Sequence, residues 1–330
     1  IAEGHHEHWH GVSPFNKETG EFIKKPTTEK SATAVFSDIL YQLASKDEKI
    51  VGVTAAMPSG TGIDQLMKRY PNRFWDVAIA EQHAITSMAA MAKDGFKPFV
   101  TIYSTFLQRG FGQIVHDVCL MNLPVVFTID RAGIVGADGE THQGQFDISM
   151  LRYLPNMTLF APRDTKTLEY AIEFGADFPT PCAIRYPRGS FKQLEFESTK
   201  FKLARGEVLK DGSSNIAFIG YGAGVSRACD TAKLIKQDIS LVDLRFVKPL
   251  DKNLLKNLAK KTKIWYIFSD SQKQGGVGSA LLEFINDESL DIKIISFEYD
   301  DIYIQHGDTK LLEEELEILP KQLAKKIDNL

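Results

Sequence analysis

Asp76-Val77-Ala78-Ile79-Ala80-Glu81-Gln82-His83-Ala84 is an apolar run that ends in one carboxylate and passes directly into a helical pattern. Residues 74–79 have the composition of a buried strand, and residues 82–93 continue with apolar positions at helical spacing until Gly95 stops them. A strand that feeds a helix through a short turn is half of a βαβ unit. Glu81 stands at the junction, with Val77, Ile79 and Ala80 before it and Ile85, Met88 and Ala89 after it. A carboxylate in that setting is paired or desolvated, because an isolated buried charge costs several kcal/mol, and burial favours the protonated form. Such a group can share a proton with a weakly basic ring nitrogen, which is acid and base chemistry on a heterocycle. The plainer reading is an acid stabilised by the positive end of a helix dipole. This stretch leaves both open.

The same alternation extends in both directions. Before it come a helix near 32–44 and a strand at 50–54. After it come a strand at 98–103 and a helix in which Leu107, Phe111, Ile114, Val115 and Val118 share one face. Then follow a strand at 125–129, a glycine-rich loop at 132–144, a strand at 157–160, a helix at 165–176 and a strand at 182–186. Residues 191–204 carry charge and little pattern. Beyond them strands at 215–220, 239–243, 264–268 and 292–297 alternate with helices near 225–236, 254–260 and 277–285, and a last helix starts past Pro320. Buried strands alternating with helices predict α/β architecture with two consecutive, mostly parallel sheets. The expected organisation is an arm or linker at 1–27, one domain at 28–190 and a second at 191–330.

With 43% hydrophobic residues the 330-residue chain can bury a sizeable core. A net charge of -4 with mixed signs gives no basic field for nucleic acid or anionic membrane, and no apolar run approaches the ~20 residues of a spanning helix. Cys119, Cys182 and Cys229 lie far apart in apolar settings, which suits reduced, buried thiols in a cytoplasm. The chain opens at Ile1 without a signal-peptide pattern, so a fragment, a processed product or one part of a longer polypeptide is expected. His5, His6, His8 and His10 crowd a glycine-containing tract with no ordered ligand spacing. A solvated loop is the expectation there, with His10, between Trp9 and Gly11, kept for chemistry.

Two glycine-rich turns in the second half, at 220–224 (G-Y-G-A-G) and 275–278 (G-G-V-G), raise a nucleotide reading. Each is explained by a tight turn between strand and helix, and Asp243 followed by Arg245 is a mixed signal for a ribose contact. The first half is more specific. Residues 130–144 (D-R-A-G-I-V-G-A-D-G-E-T-H-Q-G) set Arg131, Asp138 and His142 among glycines just past a strand, where ligands of open α/β sheets bind. Arg185 and Arg188 follow another strand in R-Y-P-R-G. Tyr103, Phe106 and Arg109 follow a third in Y-S-T-F-L-Q-R. Any one of these reads equally well as a surface charge or core aromatic; their shared position after successive strands argues for a site.

Together with H-D-V at 116–118, these motifs resemble the 1-deoxy-D-xylulose-5-phosphate synthases, thiamine-diphosphate enzymes of the transketolase class, over nearly the whole chain and most strongly from about Trp75 to Gly189. The resemblance implies a pyrimidine-binding domain followed by a transketolase C-terminal domain, thiamine diphosphate and Mg²⁺ as cofactors, and a homodimer. The implied reaction condenses pyruvate with glyceraldehyde 3-phosphate, with loss of CO2, to a precursor of isoprenoids, thiamine and pyridoxal. It implies that Glu81 contacts the aminopyrimidine ring nitrogen, and that Phe106 stacks on that ring with Ile79 beside the cofactor. Tyr103, Arg131, Arg188 and Arg109 would bind substrate, and Asp138, His10 and His142 would serve proton transfer and substrate hydroxyls. The G-D-G motif that holds the diphosphate and metal in this family has no counterpart here, so the N-terminal half of the same enzyme is the expected partner. The beta subunit of a two-component 2-oxoacid dehydrogenase and a noncatalytic module of the same fold are the competing readings; the D-R-A-G-I-V-G-A-D-G loop and R-Y-P-R-G argue against the former, and the joint presence of Glu81 and the arginines against the latter.

Overall fold

Short runs of Val, Ile, Phe and Thr form the strands β1 (Ile50–Thr54), β2 (Phe74–Asp76), β3 (Lys97–Tyr103), β4 (Val126–Asp130), β5 (Thr158–Phe160) and β6 (Cys182–Arg185). Later strands are β7 (Glu207–Lys210), β8 (Ile216–Gly220), β9 (Ser240–Asp243), β10 (Phe246–Lys248), β11 (Ile264–Gln272) and β12 (Lys293–Tyr299). The computed structural model describes residues 14–23, 29–136 and 138–328, so His10 and its neighbouring histidines lie outside the described residues. The chain divides into residues 1–30 and residues 31–330. In the former, an antiparallel bridge joins Phe15 and Phe22, and Asn16 Oδ1 accepts from the N–H groups of Glu18 and Thr19. That arm therefore holds a local turn that its polar sequence does not announce.

Two α/β sheets make up the rest. The first has the order β10-β5-β6-β4-β3-β1-β2 and the second β12-β11-β8-β9-β7; every pairing is parallel except those of β10 and β7. Both faces of the central strands are covered, which is why β1 and β4 are buried at all five positions. Threonines in these buried strands satisfy one another: Thr101 and Thr128 hydroxyls stand 2.8 Å apart. No helix among the described residues is long and apolar enough to cross a membrane.

The two antiparallel edge strands are absent from the sequence reading. β10 is three residues long and comes from the second half of the chain, yet it pairs with β5 of the first sheet through Phe246 opposite Phe160. Phe160 also packs against Phe174 and Phe201, with ring centroids 5.3 and 5.5 Å away. This aromatic cluster, rather than strand periodicity, fixes β10 in place. Behind it Arg163, fully buried, lies 2.8 Å from Asp243 and 3.3 Å from Asp164, while Arg245 reaches Glu207 at 2.7 Å. Asp243 is thus consumed by an ion network and is not a ribose ligand. Arg163→Ala should cost about 3–5 kcal/mol, because Asp164 would lose its cation and Asp243 would keep only the more distant Arg245, 3.7 Å away; urea unfolding monitored by circular dichroism measures it.

Candidate active site

The strand that leads to Glu81 stops earlier than its composition suggests. Asp76 Oδ1 accepts from the N–H of Ala56 and of Ala78, at 2.6 and 3.1 Å, and Ala78 adopts a left-handed φ of 55°. The expected strand at 74–79 is corrected to 74–76, and residues 77–80 form a bend that leaves Ile79 69% exposed. Glu81 then opens the helix Glu81–Lys93 with its side chain 3% exposed.

Arg109 compensates this carboxylate, with its Nε 2.9 Å from Glu81 Oε2. The N–H does not point along that line, and Glu81 Oε2 is a buried oxygen without an aligned donor. The expected single helix after β3 is broken into short segments, with a 3₁₀ turn at Gln108–Gly110 and a π-helical stretch at Ile114–Cys119. Gly110 permits the approach, since a Cβ there would lie 2.2 Å from Ile85 Cδ1. The structure therefore places Arg109 beside Glu81 rather than with the other arginines.

Tyr103, at the end of β3, stacks on Phe106 with centroids 5.7 Å apart and planes 14° apart, and Phe106 meets His142 edge-on at 5.1 Å. The Arg131 guanidinium lies 4.3 Å from the Tyr103 ring centre. Burial pushes the Tyr103 hydroxyl up to about 12, partly offset by the Arg131 charge, so this tyrosine is a neutral phenol at neutral pH. His142, Phe106, Tyr103 and Arg131 thus form one continuous row. Arg131 is not a free fork: its Nη1 donates to Asp130 Oδ1 at 2.8 Å and to Thr33 Oγ1 at 3.0 Å. Arg188 is freer, 39% exposed, and holds Asp138 at 3.1 Å and the Val135 carbonyl at 2.9 Å. Arg185 does not belong with it. That side chain is buried against Asp147, 2.8 Å away, and donates to the Asp270 carbonyl.

Residues that sequence reasoning missed hold this row in position. Thr33 comes from a helix some hundred positions before Arg131. Gly60 makes room for the Tyr103 hydroxyl, which a Cβ would meet at 1.9 Å. Gln143, almost fully buried, accepts from Val135 N–H at 2.7 Å and donates to the Gln305 carbonyl, tying the glycine-rich loop to the second half of the chain. Gly60→Ala should displace Tyr103 from the row with little change in unfolding midpoint; near-ultraviolet circular dichroism and thermal melts separate the two.

The glycine-rich turns of the second sheet are structural. Gly224 allows close approach to the Phe268 carbonyl, 2.1 Å from a virtual Cβ. At the other turn the buried Glu298 carboxylate accepts from Val277 and Gly278 N–H, at 2.8 and 3.0 Å, so the helix terminus carries the chain's own anion.

The residues fit a pyrimidine-type ring better than a metal. Glu81 offers an oxygen lacking an aligned donor, Ile79 exposes apolar surface two residues before it, and Phe106 offers an aromatic face in the row with Tyr103. Among the described residues, no group of three or more His, Cys, Asp or Glu side chains converges on a metal position.

Residues 28–193 match the transketolase pyrimidine-binding domain model, and residues 204–323 match the transketolase C-terminal domain model. The chain is 70% identical over 328 residues to a 1-deoxy-D-xylulose-5-phosphate synthase of Aliarcobacter butzleri and 60% identical over 329 residues to that of Sulfurimonas denitrificans. It covers 54% of each, so it spans about half the length of these curated relatives. A solved split-gene transketolase, described as an inactive beta4 tetramer, superposes with a TM-score of 0.81 at 25% identity, covering 91% of this chain and 98% of that one. The transketolase of Campylobacter jejuni shares the fold at a TM-score of 0.75 and 18% identity, over 93% of this chain and 48% of that one.

Proposed function

Since the chain belongs to the transketolase family and contains its pyrimidine-binding and C-terminal domains, we propose that it forms the pyrimidine-binding half of a 1-deoxy-D-xylulose-5-phosphate synthase. The reaction joins pyruvate to glyceraldehyde 3-phosphate with release of CO2. The observation that carries this reading is the Glu81 carboxylate, buried at a helix start with Oε2 lacking an aligned donor, in a chain so similar to these synthases.

Thiamine diphosphate, when bound, supplies the carbanion equivalent that carries the two-carbon unit. Glu81 would hold a proton at the pyrimidine ring nitrogen, with Arg109 compensating its charge. Phe106 and Ile79 would cover the ring and exclude water. Tyr103 and Arg188 would hold the phosphate end of the aldehyde, with Arg131 setting the Tyr103 ring. Asp138, His142 and His10 would take substrate hydroxyls and move protons. The diphosphate and Mg²⁺ would be held by the other half of the enzyme, and the assembly would be a homodimer working in the cytoplasm.

Titration calorimetry tests the division of labour. The chain alone should bind thiamine diphosphate and Mg²⁺ at least 100-fold more weakly than the chain mixed with the diphosphate-binding half, since the diphosphate anchor carries most of the charge-assisted bonds. Micromolar, metal-dependent binding by this chain alone would contradict it.

A further inference from the structure

The second sheet has a crevice that adjoins the proposed substrate site at Arg188 and extends away from it. From β8 the chain passes through the helix Gly224–Ala232 to β9 on one side, then returns to β11 on the other. The winding reverses between β8 and β11, and ligands of open parallel sheets bind beyond the carboxyl ends of the strands at such a reversal. A cleft of about 310 Å³ lies there, lined by Ser226 and Arg227 after β8, Asp270 of β11, Thr309, Glu313 and, from beyond β6 of the first sheet, Arg188. Its volume is that of a small metabolite.

Arg227 is the centre of this cleft. Its side chain is 11% exposed, with Nη1 2.7 Å from Asp270 Oδ1 and Nη2 3.1 Å from Glu313 Oε1. Nη1 has no aligned hydrogen-bond acceptor all the same. A buried guanidinium N–H in that state is costly, and a buried ion pair is a poor source of stability compared with apolar packing. The first N–H groups of the helix are spent inside the turn, Gly224 on the Tyr221 carbonyl and Val225 on the Gly222 carbonyl, so any anchoring falls to side chains. Within the lining, Asp270 and Glu313 are compensated by Arg227, and Asp230 by Lys192 at 2.5 Å. Two lining cations, Arg163 and Arg188, have carboxylate partners outside the cleft; Arg163 is fully buried in its ion network, which leaves the 39% exposed Arg188 able to meet a ligand. The partly exposed carboxylates of Glu313 and Asp230 and the hydroxyls of Ser226 and Thr309 are suited to accept from and donate to sugar hydroxyls.

We propose that this cleft is a second ligand site for a polyol with one anionic end, a sugar phosphate or sugar acid. Its anion sits between Arg188 and Arg227, and its hydroxyls meet Glu313, Asp230, Ser226 and Thr309. The site goes beyond the transfer reaction but shares Arg188 with the proposed substrate site. Occupancy therefore changes the affinity for the substrate phosphate, and the coupling is reciprocal.

The test is an amide NMR titration of the full chain with ribose 5-phosphate, gluconate and neutral glucitol. Saturable shifts at residues 223–230 and 270 are expected with at least one of the two anions, and the tighter one names the anionic group. Ser226→Phe, which fills the cleft and keeps every charge, should weaken that binding at least tenfold, as should Arg227→Met, while Tyr103→Phe, which removes only a hydroxyl on the substrate side, should leave it nearly unchanged. Binding lost in Tyr103→Phe and kept in Ser226→Phe would place the anion on the substrate side of Arg188. That result would overturn the second site and leave the proposed transfer function standing. Equal binding of glucitol, or no saturable shift with either anion up to ~10 mM, would also overturn it.

Discussion

Glu81→Gln in the complete enzyme is expected to slow proton exchange at the reactive thiazolium carbon by about 10²–10⁴-fold, the range over which a positioned acid or base contributes. Glutamine keeps the size of the side chain and fits the same helix start, so the fold should survive. What it loses is the ability to hold and release a proton at the ring nitrogen. Glu81 is suited to that role because its carboxylate is compensated but not saturated: Arg109 stands 2.9 Å away and Oε2 still lacks an aligned donor. Deuterium loss from the bound cofactor, followed by NMR, gives the rate directly. Unchanged exchange would return Glu81 to the role of an acid stabilised by a helix dipole.

Arg188→Ala and Arg131→Ala should differ, although both arginines follow strand ends. Arg188 is 39% exposed and is held by one carboxylate and one carbonyl. Its loss should cost about 2 kcal/mol in binding the aldehyde phosphate, roughly 30-fold in KM for glyceraldehyde 3-phosphate, with a much smaller change for pyruvate. Arg131 is 14% exposed, lies over the Tyr103 ring and partners the fully buried Asp130. Its removal leaves that carboxylate without its cation and frees the Tyr103–Phe106 row, so both substrates and the unfolding midpoint should suffer. Steady-state kinetics with each substrate varied in turn distinguishes the patterns. Equal effects of Arg188→Ala on pyruvate and aldehyde would withdraw the phosphate role.

The parallel sheets were legible because their strands are buried on both faces and read as apolar runs between helical periods; β4 and the helix Thr165–Ala176 lie within a residue of where the pattern puts them. β7 and β10 were not. They are short, half-exposed or held by aromatic packing from distant residues, and neither carries a period. The gathering of Tyr103, Phe106, Arg131, Asp138, His142 and Arg188 near one face was legible from their positions after successive strands. Their partners were not: Thr33, Gly60, Gln143 and the Arg109–Glu81 pair depend on contacts across the fold that no local spacing encodes. Arg185 shows the opposite error, a cation beside a site motif that is spent on Asp147.

The most direct measurement mixes this chain with the diphosphate-binding half, thiamine diphosphate, Mg²⁺, carbon-13 pyruvate and glyceraldehyde 3-phosphate, and follows the label by NMR. The carboxyl carbon of pyruvate should appear as CO2 and its other two carbons in 1-deoxy-D-xylulose 5-phosphate, with both signals lost in Glu81→Gln. Label released as CO2 without entering a five-carbon product, or products unaffected by Glu81→Gln, would contradict the proposed function.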